Sequence, residues 1–279
     1  MGARRWWTDR WRAAKAPLRS HVARGWNRQP YLGLSRLCAS YLRVWNNSDN
    51  YLTTNGETGV LDVLAEDDLT RVFDVGAHFG DWTVEVLKRR PDATVDCFEP
   101  TPSIAKDLAA RLDGTGKVAI HEVALSDHNG SAELLIDPRY PSLNSITPRP
   151  QTGGEVIPTP VVLRTGDTFA ADLGVSRIDL LKIDAEGHDF AVLKGFETML
   201  AAGAISVVQF EYNGFSIFSR TLLIDYYEFL EPLGYSIGKI RPNGVNFKPY
   251  AASDENWVGP DCIAVHASRP DLLERLSAF

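Results

Sequence analysis

The stretch RVFDVGAHFGDW, residues 71–82, decides the fold of this chain. It begins with a short apolar run that is interrupted only by Asp74, a pattern typical of a buried strand. Gly76 and Gly80 follow, and residues 81–90 then place apolar side chains at helical spacing. We therefore predict a strand, a tight turn and a helix, the unit that opens many nucleotide-binding parallel sheets.

The rest of the chain alternates between strand-like and helix-like patterns. This alternation predicts an α/β fold with a mostly parallel sheet and helices on both faces. The further predicted strands are 94–98, 117–123, 178–183, 205–210, 235–240 and 262–267, and the further predicted helices are 57–64, 104–112, 189–200 and 222–230. Residues 134–160 are interpreted as an insertion with a hairpin. We expect one domain over residues 51–268, a basic, Trp-rich helical extension over 1–50 and a tail over 269–279.

The composition is that of an ordinary folded protein, with 44% hydrophobic and 23% charged residues. Cys38, Cys97 and Cys262 lie far apart and show no metal-ligand spacing. This argues against disulfides and a zinc site and favours a reducing compartment. No apolar run reaches the roughly 20 residues that span a bilayer. We therefore expect a cytoplasmic protein.

The first 45 residues differ from the rest of the chain in charge. They hold ten Lys or Arg residues against one acid, Asp9, whereas the whole chain has a net charge of −7. Five of the seven tryptophans also lie there. Such an arm could rest on the inner face of an anionic membrane. Because the arm shows no clean apolar stripe, we expect it instead to pack on the domain or on a second subunit of a homodimer. Nucleic acid is disfavoured, since the remainder of the chain is acidic.

The turn after the first strand and an acid after the second predict a nucleoside-type cofactor. Gly76 lets backbone N–H groups approach a ligand, and Gly80 lets the next helix start close to the strand. Glu99, at the end of the second predicted strand, can accept the two hydroxyls of a ribose. The turn lacks the Gly-x-Gly-x-x-Gly pattern of a pyrophosphate site, and Asp74 and Asp81 would repel phosphate. These features favour S-adenosylmethionine over a nicotinamide dinucleotide.

Several motifs resemble, in the same order, those of the FkbM family of methyltransferases. The matching stretches include FDVGAHFGDWT at 73–83, FEP at 98–100, VALSD at 123–127 and IDLLKIDAEGHD at 178–189. The resemblance covers about residues 55–265. It implies a Rossmann-like class I methyltransferase fold with a seven-stranded sheet. It also implies that S-adenosylmethionine is used for O-methylation of a sugar or natural-product hydroxyl.

The resemblance further indicates where the cofactor would be bound. Residues 124–126 would lie against the adenine, and residues 142–145 resemble a Ser-Leu element near the cofactor. His78 would pack on the ribose side or touch the substrate. The cofactor-binding residues that we expect are Asp74, Gly76, Ala77, His78, Gly80, Trp82, Glu99, Ala124, Ser145 and Asp184.

The segment KIDAEGH, residues 182–188, is the predicted catalytic segment. An alcohol is a weak nucleophile at neutral pH, so its methylation calls for a base or a metal ion. We predict His188 as the general base, because the N-terminus of the following helix would keep its ring neutral. The alternative is a surface histidine at a helix start. Asp184 is expected at the cleft. Glu186 is expected to orient a partner such as Lys182 or a loop amide, or alternatively to be a metal ligand.

Asp184, Glu211 and Asn213 form a candidate metal site. Asp184 and Glu211 follow two predicted strands, and two carboxylates with an amide oxygen suit a hard ion such as Mg²⁺. The set is similar to the metal site of catechol-type O-methyltransferases. An ion there could lower the pKa of a bound hydroxyl. Alternatively, Glu211 only holds a lysine or a turn, and Asp184 only contacts the cofactor.

The favoured acceptor is a hydroxyl of a sugar, a glycan or a glycosylated metabolite. A polyketide or other natural-product hydroxyl is the alternative within the same enzyme class. A catalytically silent, methyltransferase-like binding protein is less favoured. It would lack acids at its strand ends, yet Asp74, Glu99, Asp184 and Glu211 are all present.

Overall fold

The computed structural model describes residues 19–66, 69–115, 117–148, 156–259 and 261–279. The chain divides into two compact units, Met1–Asn46 and Asn47–Phe279. The first unit contains helix α1, Tyr31–Trp45, in which no residue is buried. Much of the predicted basic arm, residues 1–18, lies outside the described residues.

The second unit is organised by β-strands that form two sheets. The strands are β1 (Arg71–Val75), β2 (Thr94–Phe98), β3 (Lys117–His121), β4 (Ala124–Leu125), β5 (Gly130–Ile136), β6 (Ile157–Arg164), β7 (Ile178–Ile183), β8 (Ile205–Phe210), β9 (Tyr235–Arg241), β10 (Gly244–Phe247) and β11 (Cys262–His266). Over the described residues, the larger sheet has eight strands in the order β10-β9-β11-β8-β7-β1-β2-β3. Its five strands from β8 to β3 are parallel, and β11, β9 and β10 pair antiparallel.

Helices connect the parallel strands and cover the sheet. The helices of this unit are α2 (Glu57–Ala65), α3 (Asp81–Arg89), α4 (Pro102–Leu112), α5 (Gly166–Asp172), α6 (Asp189–Lys194), α7 (Glu197–Ala201), α8 (Ser216–Ser219), α9 (Leu223–Leu230) and α10 (Pro270–Leu276). Alternate side chains of β1 enter opposite layers, since Val72 packs in the cluster with Val86 and Phe73 in the cluster with Phe196. The sheet is therefore buried on both faces, as expected for parallel strands.

The predicted α/β fold is confirmed, with three differences in its elements. The sheet has an eighth strand, β10, because Pro242 and Asn243 form a two-residue turn that returns the chain antiparallel to β9. The helix predicted over 189–200 is two helices, since the buried Phe196 takes non-helical backbone angles. Residues 269–279, predicted as a tail, contain α10, which buries Leu272 and Leu276.

The insertion predicted over 134–160 belongs to the smaller sheet, which is wider than predicted, spans residues 124–164 and has the strand order β4-β6-β5. Its hairpin strands β5 and β6 pair antiparallel from Gly130 with Leu163 to Ile136 with Ile157. The segment between them bends back, and Ser145 bridges to Leu135. This arrangement brings residues 141–147, here called the cover segment, towards the larger sheet.

None of the helices in the described ranges combines the length and the apolar character that crossing a bilayer would require.

The order of the parallel strands places a switch point between β1 and β7. From β1 the chain proceeds outward to β2 and β3, and it then returns to the other side of β1 as β7 and β8. Ligands of open parallel sheets bind at the carboxyl ends of the strands beside such a point.

Candidate active site

A cavity of about 160 Å³ lies at this switch point. It is bordered by the ends of β1, β2 and β7 and by the cover segment. Among the residues predicted for the site, its lining includes Gly76, His78, Glu99, Ala124, Ser145, Asp184, Glu186 and His188. The structure therefore brings together residues that lie more than 100 positions apart in the sequence.

Gly76 makes the turn at the end of β1 possible. Its φ of +78° lies in the left-handed region, and a Cβ there would come within 1.8 Å of the Asp184 carbonyl oxygen. The N–H groups of Gly76 and Ala77 both donate to the Phe98 carbonyl oxygen. These bonds join the end of β1 to β2 beside the cavity. Because a Cβ at residue 76 would clash with the Asp184 carbonyl oxygen, only a glycine fits between the ends of β1 and β7.

Glu99 is held rigidly at the end of β2. Its Oε1 accepts the N–H of Thr101 at 2.8 Å, and its Oε2 accepts the N–H of His78 at 3.1 Å. Burial raises the pKa of Glu99, and these two hydrogen bonds oppose the increase. A carboxylate oriented in this way retains lone pairs for two ribose hydroxyls.

Asp74 lies outside the cavity lining, and the direct cofactor contact that we expected of it stays a prediction. Its side chain points into the layer between the sheet and α3, where Oδ2 accepts the hydroxyl of Thr83 at 2.6 Å. The predicted residues Ala77, Gly80 and Trp82 are also outside the cavity lining. Gly80 instead precedes α3 with a φ of +80°, and Trp82 packs in a core cluster. Asp74, Ala77, Gly80 and Trp82 therefore support the turn from the side of α3 and the core, not from the cavity.

A row of buried polar side chains crosses the sheet next to the cavity, at the level of Asp74, which precedes the cavity residue Val75 in β1. Asp74 of β1 is paired in register with Lys182 of β7, and Lys182 with Gln209 of β8. Gln209 Nε2 donates to Glu57 at 2.7 Å and to Asp261 at 2.6 Å. Sequence reasoning missed this row, which we call the polar row (Asp74, Lys182, Gln209, Glu57 and Asp261). The polar residues Asn55 and Glu57, around the start of α2, were the signal available in the sequence. Only the strand register and the hydrogen bonds show that the residues of the row meet.

Lys182 is the one positive charge that the structure describes in the polar row. Its Nζ donates to Asp184 Oδ2 at 2.9 Å and lies 5.8 Å from the Trp82 ring centre. Burial alone would lower the pKa of Lys182, but the charges of Asp184, Asp261 and Asp74 raise it well above its ordinary value. The lysine therefore remains charged and orients the Asp184 carboxylate at the cavity wall.

Three carboxylates meet on the β7–β8 side of the site. One oxygen each of Asp184, Glu186 and Glu211 lies within 4.8 Å of the others. Burial, together with the charges of Asp184 and Glu186, raises the pKa of Glu211 well above its ordinary range. The predicted third ligand Asn213 is used differently, since its Oδ1 accepts the N–H of Phe215 at 2.8 Å. Glu186 thus joins Asp184 and Glu211 in the candidate ligand set, and the role of Asn213 as a ligand stays a prediction.

His188 lines the cavity at the start of α6. Its Nε2 lies 3.0 Å from Ser126 Oγ, and burial lowers the pKa of the ring below its ordinary value of 6.5. Ser126 Oγ also lies 3.3 Å from Asp127 Oδ1, to which it can donate. In the tautomer in which His188 Nε2–H donates to Ser126, Nδ1 is the free acceptor of the ring.

His78 occupies the opposite wall with a φ of +48°. Burial lowers the pKa of its ring, while Asp184 and Asp81 act in the other direction. Within the described part of the chain, its buried Nε2 has no hydrogen-bond partner. This nitrogen is therefore available to a ligand.

The cover segment closes the cavity from the side of the smaller sheet. Ser145 Oγ donates to the Glu186 carbonyl oxygen at 2.7 Å, and Asn144 Nδ2 donates to Thr101 Oγ1 at 3.3 Å. Ser145 is buried. The segment is thus tied both to the turn after β7 and to the start of α4.

A Rossmann-like parallel sheet with an antiparallel edge and an acid after β2 defines the class I fold of S-adenosylmethionine-dependent methyltransferases. Residues 74–237 match the methyltransferase FkbM domain model, which is more than half of the 279 residues. The chain belongs to the FkbM methyltransferase family. The predicted family is confirmed, and S-adenosylmethionine is the cofactor that the family uses.

Relatives with assigned names are also methyltransferases. Methyltransferase sdnD of Sordaria araneosa is 26% identical over 155 residues, 45% of this chain and 60% of the relative. The 2-O-methyltransferase NoeI of Sinorhizobium fredii is 26% identical over 136 residues, 44% of this chain and 56% of the relative. The chain thus spans less than two thirds of either relative. The solved methyltransferase FkbM of Methylobacillus flagellatus KT is 14% identical, with a TM-score of 0.45 over 71% of this chain and 44% of that one.

Proposed function

We propose that this protein transfers the methyl group of S-adenosylmethionine to a hydroxyl oxygen of a sugar or glycan. The observation that carries the proposal is the arrangement of the cavity, which has Glu99 on one wall and Asp184 and Glu186 on another. A nucleoside fits against the first wall. The carboxylates of the second wall can receive or polarise an acceptor hydroxyl.

We assign each part of the cofactor to a wall of the cavity. Glu99 accepts the ribose hydroxyls, and Ala124 and Leu125 border the adenine. The turn at Gly76 and His78 faces the methionine part, for which His78 Nε2 supplies a hydrogen-bonding group. Pre-formed positions of this kind convert the methyl transfer into an oriented, in-line reaction.

The chemistry requires a proton to leave the acceptor. The cofactor supplies an electrophilic methyl group, so that an O–C bond forms while the S–C bond breaks and S-adenosylhomocysteine leaves. His188 is the candidate base, because its ring is neutral and Nδ1 can accept a proton. Asp184, oriented by Lys182, lies at the same cavity. We assign Asp184 to the acceptor hydroxyl, as a hydrogen-bond acceptor.

A divalent ion fits the three carboxylates of Asp184, Glu186 and Glu211. Their oxygens are the ligands that Mg²⁺ prefers, and an ion would offset the repulsion that raises the pKa of Glu211. Among the described residues, the buried Oε2 of Glu211 has no hydrogen-bond partner. Bound there, Mg²⁺ would supply Lewis-acid activation of a hydroxyl. A sugar with neighbouring hydroxyls suits such a site, and the name of the relative NoeI, a 2-O-methyltransferase, supports an oxygen acceptor.

Cofactor binding is tested by calorimetry with S-adenosylhomocysteine. We expect binding by the wild type and a loss of roughly 10- to 100-fold in Glu99→Gln, because charged hydrogen bonds to the ribose are removed. Glu122→Gln, at an exposed position, is the matched control and should bind normally. Binding of NAD in place of S-adenosylhomocysteine would refute the proposal.

The acceptor is tested by incubating the protein with labelled cofactor and panels of glycans, glycosylated metabolites and polyketides. Mass spectrometry should detect a methyl ether on a sugar oxygen. Methylation confined to polyketide hydroxyls would favour the alternative acceptor class. Binding of the cofactor without turnover on any panel would favour a silent binding protein.

The ion is tested by Mg²⁺ titration calorimetry and by thermal shift on the cofactor-free protein. We expect saturable binding that Glu211→Gln weakens at least roughly tenfold, since one charged ligand is lost. Full turnover after EDTA treatment, together with no measurable Mg²⁺ binding, would remove the ion from the proposal.

A further inference from the structure

Helix α1 separates its apolar from its polar residues. At 100° per residue, seven of its eight large apolar side chains fall within an arc of about 160°, and Leu32 lies outside it. We call this arc the apolar face of α1, and its exposed members are Leu34, Leu37, Tyr41, Leu42, Val44 and Trp45. Arg36, Ser40 and Arg43 occupy the opposite side. The sequence of the whole arm shows no clean apolar stripe. The separation of apolar and polar residues becomes visible once the bounds of the helix, Tyr31–Trp45, are known.

The apolar face of α1 is exposed over its whole length. Leu37 is 67% and Val44 77% accessible, and no residue of the helix is buried. A contiguous apolar surface of this kind marks an interaction site, since soluble proteins seldom leave one uncovered.

The charge of the arm decides what covers this face. Residues 19–45 hold five arginines and no acid, and residues 1–18 add five further basic residues. Anionic lipid headgroups complement this charge, whereas pairing of two identical arms would bring like charges together. Fifteen residues are also too few to span the bilayer core, which takes about 20.

We propose that α1 lies in the surface plane of an anionic lipid bilayer. Its apolar face enters the boundary between headgroups and acyl chains, and Arg36 and Arg43 remain among the headgroups. The proposal concerns a surface separate from the methyltransferase cavity and does not depend on the proposed function.

The test is flotation of the full chain with vesicles of phosphatidylcholine alone or of phosphatidylcholine with phosphatidylglycerol. We expect binding to the anionic vesicles only, with an affinity that falls as salt is raised. Leu37→Ser with Val44→Ser should weaken binding at least roughly tenfold, because two buried apolar groups are lost. Arg36→Gln with Arg43→Gln should weaken it roughly thirtyfold at low salt.

The matched control is Val162→Ser with Leu173→Ser, which removes exposed apolar side chains from the other unit and should leave binding unchanged. Binding that is equal for neutral vesicles, absent for both, or retained by the Leu37 and Val44 variant would overturn the proposal. So would a dimer, seen by light scattering, that the same variant abolishes, because a second copy would then cover the face. Circular dichroism and S-adenosylhomocysteine binding report whether each variant is folded.

Discussion

The contact between His188 and Ser126 bears on which ring nitrogen can act as a base. If Nε2 donates to Ser126 Oγ, Nδ1 keeps its lone pair for the proton of the acceptor. Burial lowers the pKa of the ring below its ordinary value of 6.5, which favours the neutral form at pH 7. The base assignment therefore depends on this contact as well as on the helix terminus.

The pH dependence of turnover tests the base assignment of His188. In the wild type, kcat should fall as the pH drops below the pKa of the ring, which lies under 6.5, because the protonated ring accepts no proton. His188→Gln should lower kcat by roughly 10²- to 10⁴-fold and lose this acidic limb. His128→Gln changes an exposed histidine and should keep both. An unchanged profile in His188→Gln would show that the base lies elsewhere.

For single residues, the sequence predicted which of them lie at the strand ends around the cavity better than it predicted which atoms their side chains contact. Glu99, Asp184, Glu186 and His188 all line the cavity, because each follows the end of a parallel strand. Asp74 does not, since its contact depends on the hydroxyl of Thr83 on a neighbouring helix. A sequence motif does not show to which of two packed layers a strand residue turns.

The turn after β1 is constrained by both conformation and space. Gly76→Ala places a side chain at positive φ and against the Asp184 carbonyl oxygen. We expect the free energy of unfolding to fall by more than about 3 kcal/mol, or S-adenosylhomocysteine binding to be lost. Gly114 has a similar φ of +73° but open space around it, so Gly114→Ala should cost only about 1 kcal/mol. Urea unfolding compares the two variants, and equal costs would mean that the close approach has no effect.

The polar row makes β7 dependent on one buried lysine. Lys182→Met leaves Asp74 and Asp184 without their positive neighbour and should lower the free energy of unfolding by about 3–5 kcal/mol. Lys88, exposed and paired with Glu85, is the control, and Lys88→Met should cost less than about 1 kcal/mol. Urea unfolding at neutral pH measures both.

The deficit of Lys182→Met should shrink as the pH is lowered from about 8 to 5. The pKa values of Asp74 and Glu57 are raised in the folded protein, mainly by burial, and Lys182 opposes the increase. Without the lysine these acids bind protons more tightly in the folded than in the unfolded state, so stability rises as they are protonated. The lysine itself has a raised pKa, and its own contribution is constant in this range. A deficit that does not depend on pH would indicate lost packing instead of uncompensated charge.

Secondary-structure elements were predictable where periodicity was strong. All parallel strands of the sheet were found, because buried strands are short apolar runs between turn signals. Strand β10 was missed, since its four residues depend on the turn at Pro242 and Asn243 and on pairing with β9. The candidate ion site was also only partly predictable from the sequence. Glu186 reaches Asp184 and Glu211 because its backbone adopts a φ of +49°, which periodicity does not indicate.

At the scale of the whole molecule, the two units should be separable. The cavity belongs entirely to the unit Asn47–Phe279, and Asn47 is fixed within it by bonds to the carbonyl oxygens of Asn55 and Ile240. A chain beginning at Asn47 should therefore bind S-adenosylhomocysteine within about twofold of the full chain, whereas it should no longer float with anionic vesicles. Calorimetry and flotation measure the two properties. Loss of cofactor binding on truncation would mean that the arm contributes to the site.

The polar row also has a consequence for how relatives of this protein diverge. Asp74, Lys182, Gln209, Glu57 and Asp261 are joined through hydrogen bonds and strand register. A relative in which Lys182 is replaced would retain buried acids without a positive neighbour, so further replacements would be needed to remove or neutralise them. Substitution histories within the family should therefore show these five positions changing together, whereas the exposed positions of α3 change independently. The row would then be inherited as a unit, even where the acceptors of the enzymes differ.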